Sequence, residues 1–174
     1  MKFHDIPSVV AKSAAKAAEI GVDMFTIHLA GGRAMFEAVR EAVEGGITRP
    51  DILGVSVLTS FDKKTWAKVS GLIGGKSTIA SSMNRLVGEA AKWGIDGAVC
   101  SFHELVSIRK KHPNLKTVVP GIRPKTSDKD DQSRTATPLE AAIAGASIIV
   151  VGRPITQSHD PKHAVLEILR EIKA

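Results

Sequence analysis

Ile52-Leu-Gly-Val-Ser-Val-Leu58 is an apolar run broken by a single hydroxyl, with Asp51 before it and Thr59-Ser60 after it. It has the length of a strand and falls short of a helix. Strict alternation would mark a strand wetted on one face. Near-continuous apolarity marks one covered on both faces, as in a parallel sheet.

Working outward, the same unit recurs. Upstream, residues 33–43 carry apolar positions at helical spacing and stop at Gly45-Gly46, and residues 23–28 form a short apolar run ending at His28. Before them, Pro7–Ile20 is Ala-rich with helical spacing, and Gly21 is its stop signal. Downstream, a polar, glycine-containing stretch leads to a helix over Ile79–Trp93. Strand and helix patterns then alternate: 97–100 and 104–111, Lys116–Val119 and 138–144, 147–151 and 164–172. That makes five complete strand–helix units, preceded by a helix with little of its strand.

Strict alternation predicts an α/β fold, a parallel sheet joined by right-handed crossovers. An open doubly wound sheet and an eight-fold barrel both satisfy it. No Gly-x-Gly-x-x-Gly follows a strand, so the dinucleotide reading lacks its usual support. Periodicity alone leaves the two architectures open. One domain spanning 1–174 is expected, because 174 residues bury one sizeable core and not two.

Composition narrows the function classes. Apolar residues are 43% and charged residues 24%, the balance of a soluble globular chain. Cys100 is the one cysteine, sits in an apolar run and predicts a reducing compartment, hence the cytoplasm. No run reaches the roughly 20 apolar residues of a membrane span, and the charged N-terminus is unlike a secretory signal. The formal charge is +6, with Lys and Arg spread along the chain, 4% aromatics and no tyrosine. Charge without a stacking platform favours a small anionic ligand over nucleic acid. The six histidines show no metal-ligand spacing, so no metal is expected.

Candidate site residues cluster where strands end, the edge at which parallel folds build sites. Lys2 and Asp5 stand three apart at the start; a lysine beside a carboxylate stays charged and can donate a proton. On spacing alone, K-x-x-D reads as a solvated pair. Val119-Pro-Gly-Ile-Arg-Pro124 and Gly152-Arg-Pro154 end two successive strands, with Gln132 in the polar segment between. Gly152 lets backbone approach an anion, and Arg123 and Arg153 offer planar forks to phosphate oxygens. Two proline-flanked arginines at successive strand ends favour anion binding over plain surface charge. Thr59 ends a strand on the same rim. His28 does too, and reads more simply as satisfied by backbone. Asp62-Lys63-Lys64 and Arg109-Lys110-Lys111 read as solvated helix faces.

Taken together, Lys2-Phe-His-Asp5-Ile-Pro7, Val57-Leu-Thr-Ser60, Val119-Pro-Gly-Ile-Arg-Pro124, Asp131-Gln132 and Val151-Gly-Arg-Pro-Ile-Thr156 resemble the orotidine 5'-phosphate decarboxylase family, its bacterial branch in particular. The first resembles the family's D-x-K-x-x-D motif from its lysine onward. The resemblance implies a (β/α)8 TIM-type barrel that decarboxylates orotidine 5'-phosphate to UMP as a homodimer, without metal or cofactor. By the same resemblance Lys2 is the proton donor, Asp5 reaches into the neighbouring subunit's site, and Thr59 meets the base. Arg123, Gln132, Gly152 and Arg153 hold the phosphate.

Two departures accompany it. The family's first two βα units, carrying a ribose-contacting aspartate and a second lysine, have no counterpart here, nor does the acidic residue two before Lys2. The barrel is therefore expected to be N-terminally truncated and the exact chain poorly active. Val9 also replaces the family's usual threonine after Ile-Pro-Asn, removing a hydroxyl contact. A Mg2+-dependent sugar-phosphate decarboxylase of the same superfamily, or a nucleotide-phosphate-binding chain without turnover, are the alternatives.

Overall fold

The computed structural model describes residues 1–46, 48–71, 78–124 and 135–173. Its first helix, α1 (Pro7–Ile20), begins on a proline whose fixed φ suits the first turn, and ends at Gly21 in the left-handed region, φ 80°. There the Gly21 N–H donates to the Ala17 and Ala18 carbonyls. Val10, Ala14 and Ala17, at spacings of four and three, are its buried stripe. α2 (Gly32–Glu44), packed beside α1, buries Met35, Phe36, Val39 and Val43 on the same logic. α4 (Ile79–Trp93) opens on a reciprocal capping box between Thr78 and Ser81.

Among the described residues six strands alternate with these helices: β1 (Lys2–Phe3), β2 (Met24–His28), β3 (Asp51–Val55), β4 (Gly97–Val99), β5 (Lys116–Val119) and β6 (Ile148–Ile149). All pairings are parallel, and the strands lie side by side in chain order. A doubly wound sheet reverses its order at a switch point; this one never does. Monotonic order is the winding of a barrel, so the structure decides what periodicity left open.

The two faces of the sheet differ accordingly. Phe3, Phe25, Ile27, Ile52, Ala98, Val119 and Ile149 turn toward the helices and join Phe36, Val39, Met83, Val87, Leu105 and Ala141 in one core. Leu53, Val55 and Val118 alternate with these and stand on the opposite, inner face, still buried. Gly97 is required where β4 meets β5, because a Cβ there would sit 2.5 Å from the Lys116 carbonyl oxygen.

The amino ends of the strands are clamped by charge. The Lys116 ammonium pairs with Asp51, joining β5 to β3. Asp96 receives Arg49 Nη1 on one oxygen at 3.0 Å and the Ile52 N–H on the other at 2.8 Å.

The remaining helices are α5 (Phe102–Lys111), α6 (Pro138–Ile143), α8 (Pro161–Lys173) and two short ones that periodicity does not predict, α3 (Lys63–Val69) and α7 (Arg153–Thr156). α3 buries no residue, so it leaves no apolar stripe to read. It stands on its cap, where Asp62 Oδ1 accepts the Thr65 N–H at 2.6 Å, and on Trp66, whose indole N–H donates to Ser82 Oγ at 3.0 Å. A single 3-10 turn, Leu29–Gly31, follows β2. β6 keeps only two residues of the five-residue run expected to form it.

Candidate active site

The carboxyl ends of the six strands form one rim, and most of the predicted site residues stand on it. Lys2 opens the two-residue strand β1, one residue before its carboxyl end. Thr26, its register partner on β2, donates both its N–H (3.0 Å) and its hydroxyl (2.9 Å) to the Met1 carbonyl. Phe3, one residue on, rests against Phe25 with ring centroids 5.6 Å apart on the helix side. With Phe3 fixed outward, the alternation of the strand turns Lys2 to the inner face.

Lys2 and Asp5 do not pair with each other among the described residues. The Asp5 carboxylate is turned onto the backbone, Oδ1 accepting the Ile6 N–H at 2.7 Å, and both residues are exposed. Three residues of separation span the end of a strand and the approach to α1, which carries the two groups in different directions. Asp5 sits in a depression lined with His4, Ile6, Pro7 and Gly31.

Next to Lys2 lies a contact across strands. His28 closes β2, and its ring stacks on His4 with centroids 4.6 Å apart and an interplanar angle of 15°. Burial, then the neighbouring His4 and Lys2, hold His28 below the ordinary histidine value of 6.5. Its Nδ1 is buried and has no hydrogen-bond partner among the described residues. The expectation that backbone satisfies this histidine therefore fails at Nδ1. No sequence signal shows the pairing, since the two rings come from residues 24 positions apart.

Thr59 stands in the turn after β3, half-buried, beyond the buried Ser56 and Val57. The turn closes with the Phe61 N–H donating to the Leu58 carbonyl at 3.1 Å.

Arg123 leaves β5 at a bridged base: its N–H donates to the Ala136 carbonyl at 2.8 Å, and Ile122 and Ala136 form an isolated bridge. Its side chain is 7% exposed, with Nη1 donating to the Ile122 carbonyl at 2.9 Å. This is a charge held inside the rim rather than a solvated one. Arg153 is half-buried at the first position of α7, and Gly152 caps that helix with open space where a Cβ would be. Val119 and Ile149 are register partners, so Arg123 and Arg153 both stand four residues past one paired level on neighbouring strands. Gln132 lies outside the described residues.

The rim also has a cleft of about 620 Å3 that sequence reasoning did not anticipate, lined by Phe61, Asp62, Thr78, Ile79, His103 and Glu104 among others. None of the predicted site residues lines it. Its polar groups include the two helix caps Asp62 and Thr78, and Glu104, which is buried and accepts the Ser101 hydroxyl. Among the described residues no group of three or more His, Cys, Asp or Glu could hold a metal ion, and no helix is long and apolar enough to cross a membrane.

Residues 1–168 match the family described as Orotidine 5'-phosphate decarboxylase / HUMPS family. The chain is 42% identical over 173 residues to the orotidine 5'-phosphate decarboxylase of Pseudomonas aeruginosa (strain LESB58), covering 99% of this chain and 73% of that protein. It is also 42% identical to the enzyme of that name from Legionella pneumophila (strain Lens), covering 74% of it. Among solved structures, orotidine 5'-phosphate decarboxylase from Lactobacillus acidophilus superposes with a TM-score of 0.81 at 32% identity, over all of this chain and 74% of that one. The Pyrococcus horikoshii OT3 structure of the same name, at 22% identity and a TM-score of 0.72, shares the fold.

Proposed function

Since the chain belongs to the orotidine 5'-phosphate decarboxylase / HUMPS family, we propose that it is a carbon–carbon lyase that converts orotidine 5'-phosphate to UMP, and that its work is done on the carboxyl rim of the sheet. The observation that carries this reading is the shared rim itself. Lys2 lies toward one edge of the sheet and the two arginines at a common level toward the other.

In the reaction the bond from C6 of the pyrimidine to the carboxylate breaks, CO2 leaves, and the electron pair stays on C6. That carbanion has no adjacent group to delocalise it, so stabilisation must come from charge already in place. The Lys2 ammonium supplies it and then transfers its proton to C6; solvent reloads the lysine. Thr59 meets the base. Arg123, Gly152, Arg153 and Gln132 hold the phosphate, whose binding energy is spent on placing C6 against Lys2. Asp5 serves the neighbouring site of a homodimer; its exposure and its turn away from Lys2 support that role. Residues 1–174 act as one domain. The lone buried Cys100 suits a cytoplasmic enzyme of pyrimidine synthesis.

The test is the ultraviolet absorbance change of orotidine 5'-phosphate on adding the purified chain, with and without EDTA, paired with calorimetry of UMP binding. The reading expects UMP binding and EDTA-insensitive turnover, slow in this chain. Loss of turnover in EDTA would favour the Mg2+-dependent alternative. Binding of UMP with no turnover would favour a nucleotide-binding protein.

A further inference from the structure

Three basic side chains meet on the inner face at the β1–β2 end of the rim. Lys2 and His28 belong to neighbouring parallel strands, and His4 follows two residues after Lys2. The register partner of His28 on β3 is Val55, which is apolar and buried. Asp5, the nearest acid in sequence, directs its carboxylate to the Ile6 N–H. Lys2 therefore has a pair of aromatic nitrogen rings on one side and no acid against it among the described residues.

We propose that His28, stacked on His4, is a positioning residue for Lys2: the stacked pair, with His28 on the strand next to the lysine's, forms a wall that fixes where its ammonium sits. The proposal rests on the reading that Lys2 is the proton donor.

Such a wall has two consequences. It fills the space into which a four-carbon side chain would otherwise swing, at little electrostatic cost. His28, held toward its neutral form, also withholds a positive charge that would push the ammonium away from the reacting carbon. Burial of His28 and its cationic neighbours act in the same direction, against the imidazolium.

The test has two arms. In the first, histidine ring resonances of the intact protein are followed by NMR against pH in the wild type and in Lys2→Gln. His28 should titrate below 6.5, and its midpoint should rise when the lysine charge is removed. A midpoint at or above the ordinary value, or one indifferent to Lys2→Gln, would overturn the proposal.

In the second arm, His28→Ala and His28→Phe are compared for kcat and KM with orotidine 5'-phosphate. Displacing a catalytic group by about 1 Å can cost roughly a hundredfold. His28→Ala should therefore lower kcat by about ten- to a hundredfold with KM little changed, since the phosphate residues stand toward the other edge of the sheet. His28→Phe, which keeps the stack and carries no proton, should recover most of the loss. A fall in KM-linked binding alone, or no rescue by Phe, would contradict the positioning role. Absence of turnover in the wild type would count against the decarboxylase reading instead, and the first arm would still decide this one.

Discussion

The two ends of the same sheet treat charge in opposite ways. At the amino ends of the strands acids and bases are matched: Lys116 with Asp51, and Asp96 with both Arg49 and the Ile52 N–H. At the carboxyl end by β1, Lys2, His4 and His28 gather on one side while Asp5 spends its carboxylate on backbone. Matched charges with satisfied lone pairs hold strands in register. A cation left without a matching acid raises the local potential and draws in an anion. The contrast separates the end that maintains the sheet from the end proposed to meet the ligand.

If that division holds, substitutions at the two ends should affect different measurements. Arg153→Ala removes a charged donor from the far side of the rim. It should weaken UMP binding by about 1.5–3 kcal/mol, roughly ten- to a hundredfold, with the melting temperature nearly unchanged. Calorimetry and thermal denaturation together would show it. A large loss of stability with unaltered affinity would place Arg153 among the structural residues instead.

Asp96→Ala should do the reverse. It leaves the Ile52 N–H unpaired at a residue that is 0% exposed, and Arg49 without its partner. A buried donor stripped of its acceptor costs about 1–3 kcal/mol. Urea denaturation should report that loss while UMP affinity stays as in the wild type.

The smallest effect concerns pH. His28 is held below its ordinary value in the folded chain, so between the two values the unfolded chain binds more protons than the folded one. Stability therefore rises with pH through this window: it is complete above about 6.5 and declines as pH falls toward the folded value. In His28→Asn the decline of melting temperature below pH 6.5 should be shallower than in the wild type. Identical slopes would remove His28 from the account.

What could be read in the sequence follows from what leaves a periodic trace. Helices α1, α4 and strand β5 match their expected bounds, because buried stripes, capping residues and apolar runs are local signals. Helix α3 left none, since it is held by one cap and one indole rather than by an apolar face. Strand order was likewise beyond periodicity; it is a property of how units wind, and only the structure shows that they never reverse. On the rim, the strand-end position of Arg123 and Arg153 is legible from the sequence as two proline-flanked arginines, and their role there is the proposal. Lys2 was visible through the resemblance, and on spacing alone looked like a solvated pair with Asp5. The His4–His28 stack was invisible, being a contact across two strands. The cleft beside Phe61 and His103 leaves no sequence trace for the same reason, as it is bounded by three separate elements.

The claim at the centre is that chemistry resides at Lys2 while the fold does not depend on it. The direct measurement is turnover of orotidine 5'-phosphate by Lys2→Ala beside the wild type, with melting curves for both. Loss of a positioned proton donor is expected to lower the rate by about 10²–10⁴-fold, with the melting curve superimposable because Lys2 is exposed. Equal rates in the two proteins would contradict the assignment and move the chemistry elsewhere on the rim.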